Sequence, residues 1–244
     1  MAALSTASSA RVLPPTTDHF SLFKVDAVRK TKRLPREALA HYMLDVPGEW
    51  TMRGQPLAPI PWAGIFEKDQ PVEVEVGFGK GLFLTTAGVA RPDTNFFGIE
   101  IVRKYQLYAT ERIALRALPN VRTCCADAKR ILREVIAPDS VAVVHVFFPD
   151  PWWKNKHKQR LLFTDEFAAL VLRVLKPGGI LHFVTDVHDY FEMVTELLRG
   201  VPAFAVAAPP EENTPEHDMD YLTNFERKFR REGRPIHRSR YAKV

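Results

Sequence analysis

Cysteine is almost absent: the 244-residue chain has two, Cys124 and Cys125, side by side. Adjacent Cα atoms are too close for an ordinary disulfide, and two thiols without further ligands make a poor zinc site. A disulfide-stapled framework is excluded, and a reducing, cytoplasmic setting is expected. Long apolar runs are missing too. No stretch of about 18 uncharged apolar residues occurs, which excludes a helical membrane span. The small, hydroxyl-rich start at 1–10 lacks the apolar centre of a secretory signal. It is also poor in acids and precedes Arg11, so a transit peptide stays open beside the plainer reading of a frayed terminus. Internal repeats and low-complexity tracts are lacking. Charge is only mildly one-sided, with a formal net of +5 and a pI of about 9.2. That balance is compatible with a nucleic-acid partner without being evidence for one.

What is present divides in two. Residues 1–70 hold many prolines, among them Pro14, Pro15, Pro35, Pro47, Pro56, Pro59 and Pro61, and a basic cluster, Arg29-Lys30-Thr31-Lys32-Arg33. They are expected to form a mostly irregular N-terminal extension with one short helix near 36–42. The cluster either touches phosphate or is simply solvated. Residues 71–244 read as one α/β domain. Apolar and polar residues alternate at 71–77, a strand period that ends in glycine. Further strands are expected at 95–100, 121–126, 141–148 and 179–185, and helices at 82–89, 102–118, 128–136, 164–175 and 190–198. Strands alternating with helices of this length imply parallel βαβ units and a doubly wound, mostly parallel sheet. The last stretch, 225–244, carries Arg227, Lys228, Arg230, Arg231, Arg234, Arg238 and Arg240. It is expected to supply a final strand region and a phosphate-facing tail.

In an open α/β sheet the ligand lies outside the carboxyl ends of the strands, where strand order reverses. The residues ending each expected strand are therefore the ones to inspect. The first ends in Glu75-Val76-Gly77-Phe78-Gly79-Lys80-Gly81. These glycines permit a tight turn and close approach of a ligand to the backbone. Leu82 stands where a dinucleotide fingerprint wants its third glycine, and Lys80 precedes glycine rather than Ser or Thr, so this is not a phosphate loop. Taken alone the loop is also compatible with a plain strand-to-helix turn. The second strand ends in Gly98-Ile99-Glu100, where a carboxylate can accept both hydroxyls of a ribose. Asp127, after the third strand, can reach an adenine amino group or simply cap the next helix. Together these describe an adenosine pocket without a diphosphate, which favours S-adenosylmethionine over a dinucleotide.

After the fourth strand comes Phe147-Phe148-Pro149-Asp150-Pro151-Trp152-Trp153-Lys154-Asn155-Lys156-His157-Lys158-Gln159-Arg160. Two prolines stiffen the loop around Asp150. Flat indoles beside cations suit unstacked RNA bases and their backbone.

These residues resemble the tRNA (guanine-N7)-methyltransferases of the bacterial single-subunit type, over roughly 71–244. The likeness is carried by Glu75-Val-Gly-Phe-Gly79, Gly98-Ile-Glu100, Ala126-Asp127-Ala128, Phe148-Pro-Asp-Pro-Trp152 with Lys154, Val184-Thr-Asp186 and Thr223-Asn-Phe-Glu226. Among these the Phe-Pro-Asp-Pro-Trp-x-Lys segment is highly specific, whereas the glycine loop is shared by most methyltransferases of this fold. The resemblance implies a class I methyltransferase (Rossmann-like) sheet with an antiparallel final strand. It implies that Glu75, Gly77, Gly79, Glu100, Asp127 and Asp150 line the cofactor pocket. It further implies that Lys154, Asp186, Thr223, Asn224, Phe225 and Glu226 meet the substrate guanosine, with Asp150 near the reaction centre as the catalytic candidate. The expected partners are S-adenosylmethionine and tRNA, with no metal, no membrane, no obligate second subunit, and a monomeric or homodimeric state. Two departures stand out: Asn155-Lys-His-Lys-Gln-Arg160 holds fewer arginines than the family pattern, and Trp153 follows Trp152. Rival readings are a class I methyltransferase for a small molecule or protein, and an RNA-binding protein with a degenerate cofactor site.

Overall fold

The structure, a computed structural model, describes residues 34–46, 59–151, 161–208, 217 and 221–244. In chain order its strands are β1 (Met43–Leu44), β2 (Val72–Val76), β3 (Asn95–Glu100), β4 (Val121–Cys125), β5 (Val141–Phe147), β6 (Leu175–Thr185), β7 (Phe204–Ala207) and β8 (His237–Lys243). They form one sheet ordered β1-β4-β3-β2-β5-β6-β8-β7. The first six pair in parallel, and β8 runs antiparallel between β6 and β7. Strand order therefore reverses between β2 and β5, which leaves a crevice at their carboxyl ends.

Helices cover both faces. They are α1 (Arg36–Ala40), α2 (Leu82–Ala90), α3 (Arg103–Leu115), α4 (Ala128–Arg130), α5 (Asp165–Val174), α6 (His188–Arg199) and α7 (Asn224–Arg231). A π-helical turn, Ile131–Val135, continues α4. One face of the sheet buries Val74, Phe97 and Val144 against Leu132 of the π turn, Phe167 and Val171 of α5, and Val194 of α6. The other buries Phe96, Val121 and Phe147 against Phe83 and Leu84 of α2 and Ala109 and Ile113 of α3. Because both faces are covered, all five residues of β2 are buried, Glu73 and Glu75 included. A strand period normally marks one wet face; here the polar positions are buried too.

Local chemistry explains the element ends. Thr164 caps α5, its Oγ1 accepting the Phe167 amide at 3.2 Å. Leu175, expected as the last residue of that helix, is extended (φ −65°, ψ 137°) and pairs with Val141 as the first residue of β6. Gly98 is a site of close approach: a β-carbon there would sit 2.4 Å from Leu84 Cδ1 and 2.6 Å from Phe78 Cδ1.

Three features differ from, or add to, the sequence reading. The segment after 224 forms a helix, α7, before the final strand, because Thr223 supplies a cap. β7 was not anticipated; it is a four-residue strand at the sheet edge with a mixed burial pattern, too short for a period to show. Met43–Leu44, within the proline-rich stretch, adds a parallel edge strand beside β4.

The buried polar positions of β2 are met by partners on neighbouring strands. Glu73 accepts from Arg91 at 2.6 Å and bonds the His145 ring at 2.9 Å. Burial alone would raise the Glu73 carboxyl, but His145 and Arg91 hold it below its ordinary value. Burial drives His145 down as well, so this histidine is neutral and donates Nε2–H to an ionised Glu73. His182 packs against both His145 and Phe147. Burial, then the neighbouring His145, Arg240 and Arg238, push His182 from 6.5 down to about 3. Between those two values the unfolded chain binds a proton that the folded chain refuses. Stability from this residue is thus complete above 6.5 and is lost as pH falls toward 3. The urea-unfolding free energy is expected to drop across that window, and His182→Phe is expected to flatten the slope. An identical slope in the variant would refute this account.

Candidate active site

The loop after β2 owes its shape to left-handed glycines, Gly77 (φ 75°) and Gly79 (φ 54°) among them. A β-carbon on either would meet nothing within 4 Å. Their backbone is an open ledge at the strand-order reversal. Gly81 serves packing instead, since its β-carbon would lie 2.6 Å from Ala109 Cβ on α3.

Glu100, ending β3, reaches across to this ledge. Its Oε2 accepts the Gly79 amide and its Oε1 the Val102 amide, each at 2.8 Å. A carboxylate oxygen can accept twice, so the group retains capacity for ligand hydroxyls. Glu75 lies on the adjacent strand, paired in register with Gly98. Its Oε2 is buried without a hydrogen-bond partner. Burial, then the Glu100 charge, push the Glu75 carboxyl well above its ordinary 4.5. An unsatisfied carboxyl beside a second carboxylate and a bare backbone ledge fits a ligand that is cationic and hydroxylated. S-adenosylmethionine has both properties. Asp127, following β4, acts as the cap of α4, with Oδ1 accepting from Lys129 and Arg130 amides at 2.8 and 3.2 Å. Asp127 thus caps α4 while standing at the carboxyl end of β4, beside the strand-end acids.

Asp150 is exposed, just beyond β5. It follows Phe148, whose φ of 49° is a left-handed conformation that a bulky residue rarely adopts. The Phe148 amide is fixed by the Val184 carbonyl at 2.7 Å, and its side chain is buried. Phe147 pairs with Val184, so Asp150 and Asp186 leave the sheet from neighbouring strands a few residues past a shared rung. Asp186 forms an ion pair with Arg234. Lys154, Trp152, Trp153, His157 and the rest of the basic strip lie outside the described residues, as does the cluster at 29–33.

Thr223 to Glu226 turn out to be a reciprocal helix cap. Thr223 Oγ1 accepts the Glu226 amide at 3.0 Å, and Glu226 Oε2 accepts the Leu222 amide at 2.7 Å. The other oxygen of Glu226 receives Arg230 at 3.0 Å and Arg238 at 2.7 Å, and the residue is buried. Asn224 Oδ1 accepts from Arg227 at 3.2 Å. Phe225 is the member of the motif that is turned outward, 52% exposed, with Phe148 at 6.3 Å and Phe229 stacked at 6.0 Å. The structure thus brings Glu75, Gly77, Gly79 and Glu100 together, and sets Asp150, Asp186 and Phe225 along the next part of the rim. The Thr-x-x-Glu spacing is itself a capping signal, and it was legible before the fold. Arg234 and Phe229 carried no comparable signal.

A cavity of about 390 Å³ lies elsewhere, lined by His41, Leu44, Phe66, Glu67 and Arg122 among others. None of the strand-end acids lines it, so the candidate site rests on the crevice and not on this cavity.

Two outcomes follow. Thr223→Ala should lower stability by about 1 kcal/mol in chemical denaturation, the usual worth of a helix cap. Glu75→Gln should raise the melting temperature at neutral pH by removing a carboxyl that burial opposes, while abolishing calorimetric binding of S-adenosylmethionine. A melting temperature that falls would make Glu75 a structural residue.

A family model described as "Putative methyltransferase" matches residues 69–239. The chain is 40% identical over 224 residues to the tRNA (guanine-N(7)-)-methyltransferase of Rhodopirellula baltica, an alignment covering 88% of this chain and 82% of that one. To the enzyme of the same name from Bordetella pertussis it is 36% identical over 235 residues, covering 96% and 89%. Among solved structures, the 16S rRNA methyltransferase KamB matches with a TM-score of 0.58 at 16% identity, over 78% of this chain and 97% of that one. The aminoglycoside resistance methyltransferase NpmB1 matches at 0.53 and 19% identity, over 79% and 98%. Those two likenesses concern the fold. The sequence relationships go further, and by them the chain belongs to the tRNA (guanine-N7)-methyltransferase family.

Proposed function

We propose that this chain transfers the methyl group of S-adenosylmethionine to N7 of a guanine in tRNA, in the variable loop. The observation that carries the reading is the juxtaposition at the strand-order reversal: an open glycine ledge with Glu75 and Glu100 on β2 and β3, and Asp150 and Asp186 leaving β5 and β6 beside it. Relatives that share 40% and 36% identity over most of their length bear the name of this activity.

When bound, S-adenosylmethionine supplies a methyl group already activated on a sulfonium sulfur. Glu75 and Glu100 would hold it, with the Gly77–Gly79 backbone against it and Asp127 at the adjoining strand end. Guanine N7 carries a free in-plane lone pair, so no proton has to leave before attack. The reaction therefore asks for neither a strong base nor a metal. What the protein must supply is alignment of N7 with the methyl carbon. Attack leaves positive charge spread over the purine, and its N1–H and N2–H donors become more acidic. Carboxylates at Asp150 and Asp186 answer both needs, offsetting the charge and accepting from the Watson–Crick edge. Phe225 offers that base a flat, exposed surface to stack on. Lys154 belongs to the same reading as a contact to the substrate guanosine, and the basic strip that follows it as contacts to the RNA backbone.

The same reading places the enzyme in the cytoplasm, working as a monomer or homodimer without an obligate second subunit. No described helix is long and apolar enough to cross a membrane.

Incubation with labelled cofactor and unmodified tRNA, followed by chemical cleavage at 7-methylguanosine, tests the reaction. A single cleavage in the variable loop is expected; label in a small molecule or protein instead would overturn the proposal. Asp150→Ala is expected to reduce turnover by roughly a hundredfold, the scale set by losing one charge-stabilising group at a reaction centre. Near-normal turnover would remove Asp150 from that centre.

A further inference from the structure

Asp186 directly follows β6, its side chain only 9% exposed, and one of its oxygens, Oδ2, is taken by Arg234. Arg234 stands in the turn between α7 and β8, where its own amide is anchored to the Phe229 carbonyl at 2.9 Å. Its guanidinium lies over the Phe229 ring at 4.3 Å. Phe229 in turn stacks on Phe225 at an interplanar angle of 25°, and both approach Phe148. A continuous wall thus runs from the end of β5, through α7, to a cation that ends on the carboxylate of β6. An arginine held flat by an aromatic face has few orientations left, and its planar donors fix the plane of the carboxylate they engage.

We infer that Arg234 is a positioning residue for guanine recognition: by holding Oδ2, it turns Oδ1 of Asp186 toward the Watson–Crick edge of the base stacked on Phe225. The inference rests on the proposed guanine-N7 activity. It explains why a cation sits at a rim that must also stabilise a developing purine cation. Its charge is matched by Asp186, and it touches the base only through that carboxylate. A carboxylate with one oxygen engaged still presents acceptor sites on the other, so Arg234 and a guanine can share it. An adenine, with an acceptor at N1, cannot.

The test uses the full chain with unmodified tRNA. Arg234→Ala is expected to lower kcat/KM for tRNA by about tenfold or more, the scale of a lost charge-assisted contact. Calorimetric affinity for S-adenosylmethionine should stay unchanged. Arg234→Lys, which keeps the charge but not the planar stack, should recover part of the loss. Glu232→Gln is the control, because Glu232 lies 4.0 Å from Arg234 on the solvent side of the same turn and should have no effect. The decisive readout is discrimination. Wild type should favour guanine over inosine at the target position, since inosine lacks the N2 donor, and Arg234→Ala should shrink that preference. In a double-mutant cycle, adding Arg234→Ala to Asp186→Asn should cost little beyond Asp186→Asn alone. Fully additive losses, or an unchanged guanine-to-inosine ratio in an enzyme that melts normally, would overturn the inference. Should wild type form no 7-methylguanosine at all, it is the proposed activity that fails, and Arg234 would not be the cause.

Discussion

A single carboxylate couples the glycine loop to the rest of the sheet. Glu100 receives the Gly79 amide on one oxygen and the Val102 amide on the other, so the loop after β2 and the entry to α3 share one acceptor. Without it, Gly79, with open space around it, would have many conformations to choose from. The arrangement places this charge beside Glu75, whose carboxyl is already buried and lacks a partner for Oε2. Ionising Glu75 beside Glu100 carries an electrostatic cost, and burial adds to it. A cationic ligand converts that cost into affinity, which is how a binding site comes to be built from groups that burial disfavours.

The same strand shows the contrast. Glu73 sits two residues before Glu75 on the same face, is equally buried, and yet is held below its ordinary value because His145 and Arg91 satisfy it. Position along the strand separates the two. Glu73 lies near the amino end of β2, where a neighbouring strand and the end of α2 supply partners. Glu75 lies at the carboxyl end, where the chain turns away and leaves a crevice. One is a settled structural pair; the other is a buried carboxyl with Oε2 unpartnered, at the place where the proposed cofactor would sit.

Much of the fold was legible in the residues. The strand at 71–77 and the alternation of strands and helices imply a doubly wound sheet, the structure has that form, and it brings the strand-end acids Glu75 and Glu100 together beside the glycine loop. Periodicity could not say that β2 would be covered on both faces, because alternation of Val and Glu is the same pattern whether the polar side meets water or a buried histidine 72 positions away. Nor could it place Arg234 against Asp186, a pairing between a turn and a strand end that only the fold brings together. Leu175 was read as helical from its apolar neighbours; it is extended because pairing with Val141 outweighs local preference at a helix end.

The Thr223–Glu226 motif shows how one short stretch serves fold and function at once. Read by resemblance alone, all four residues meet the substrate. In the structure Thr223 accepts the Glu226 amide, Glu226 accepts the Leu222 amide, and Glu226 also gathers Arg230 and Arg238. Those bonds fix where α7 begins and how it is rotated. A helix fixed in rotation places Phe225 and Phe229, one turn apart, on one face, with Phe229 buried and Phe225 at the exposed end. Losing the cap would therefore do more than cost stability, because it would release the helix that presents the stacking surface. The link between cap and face is geometric: the same hydrogen bonds that start the helix set the direction in which its aromatic face looks.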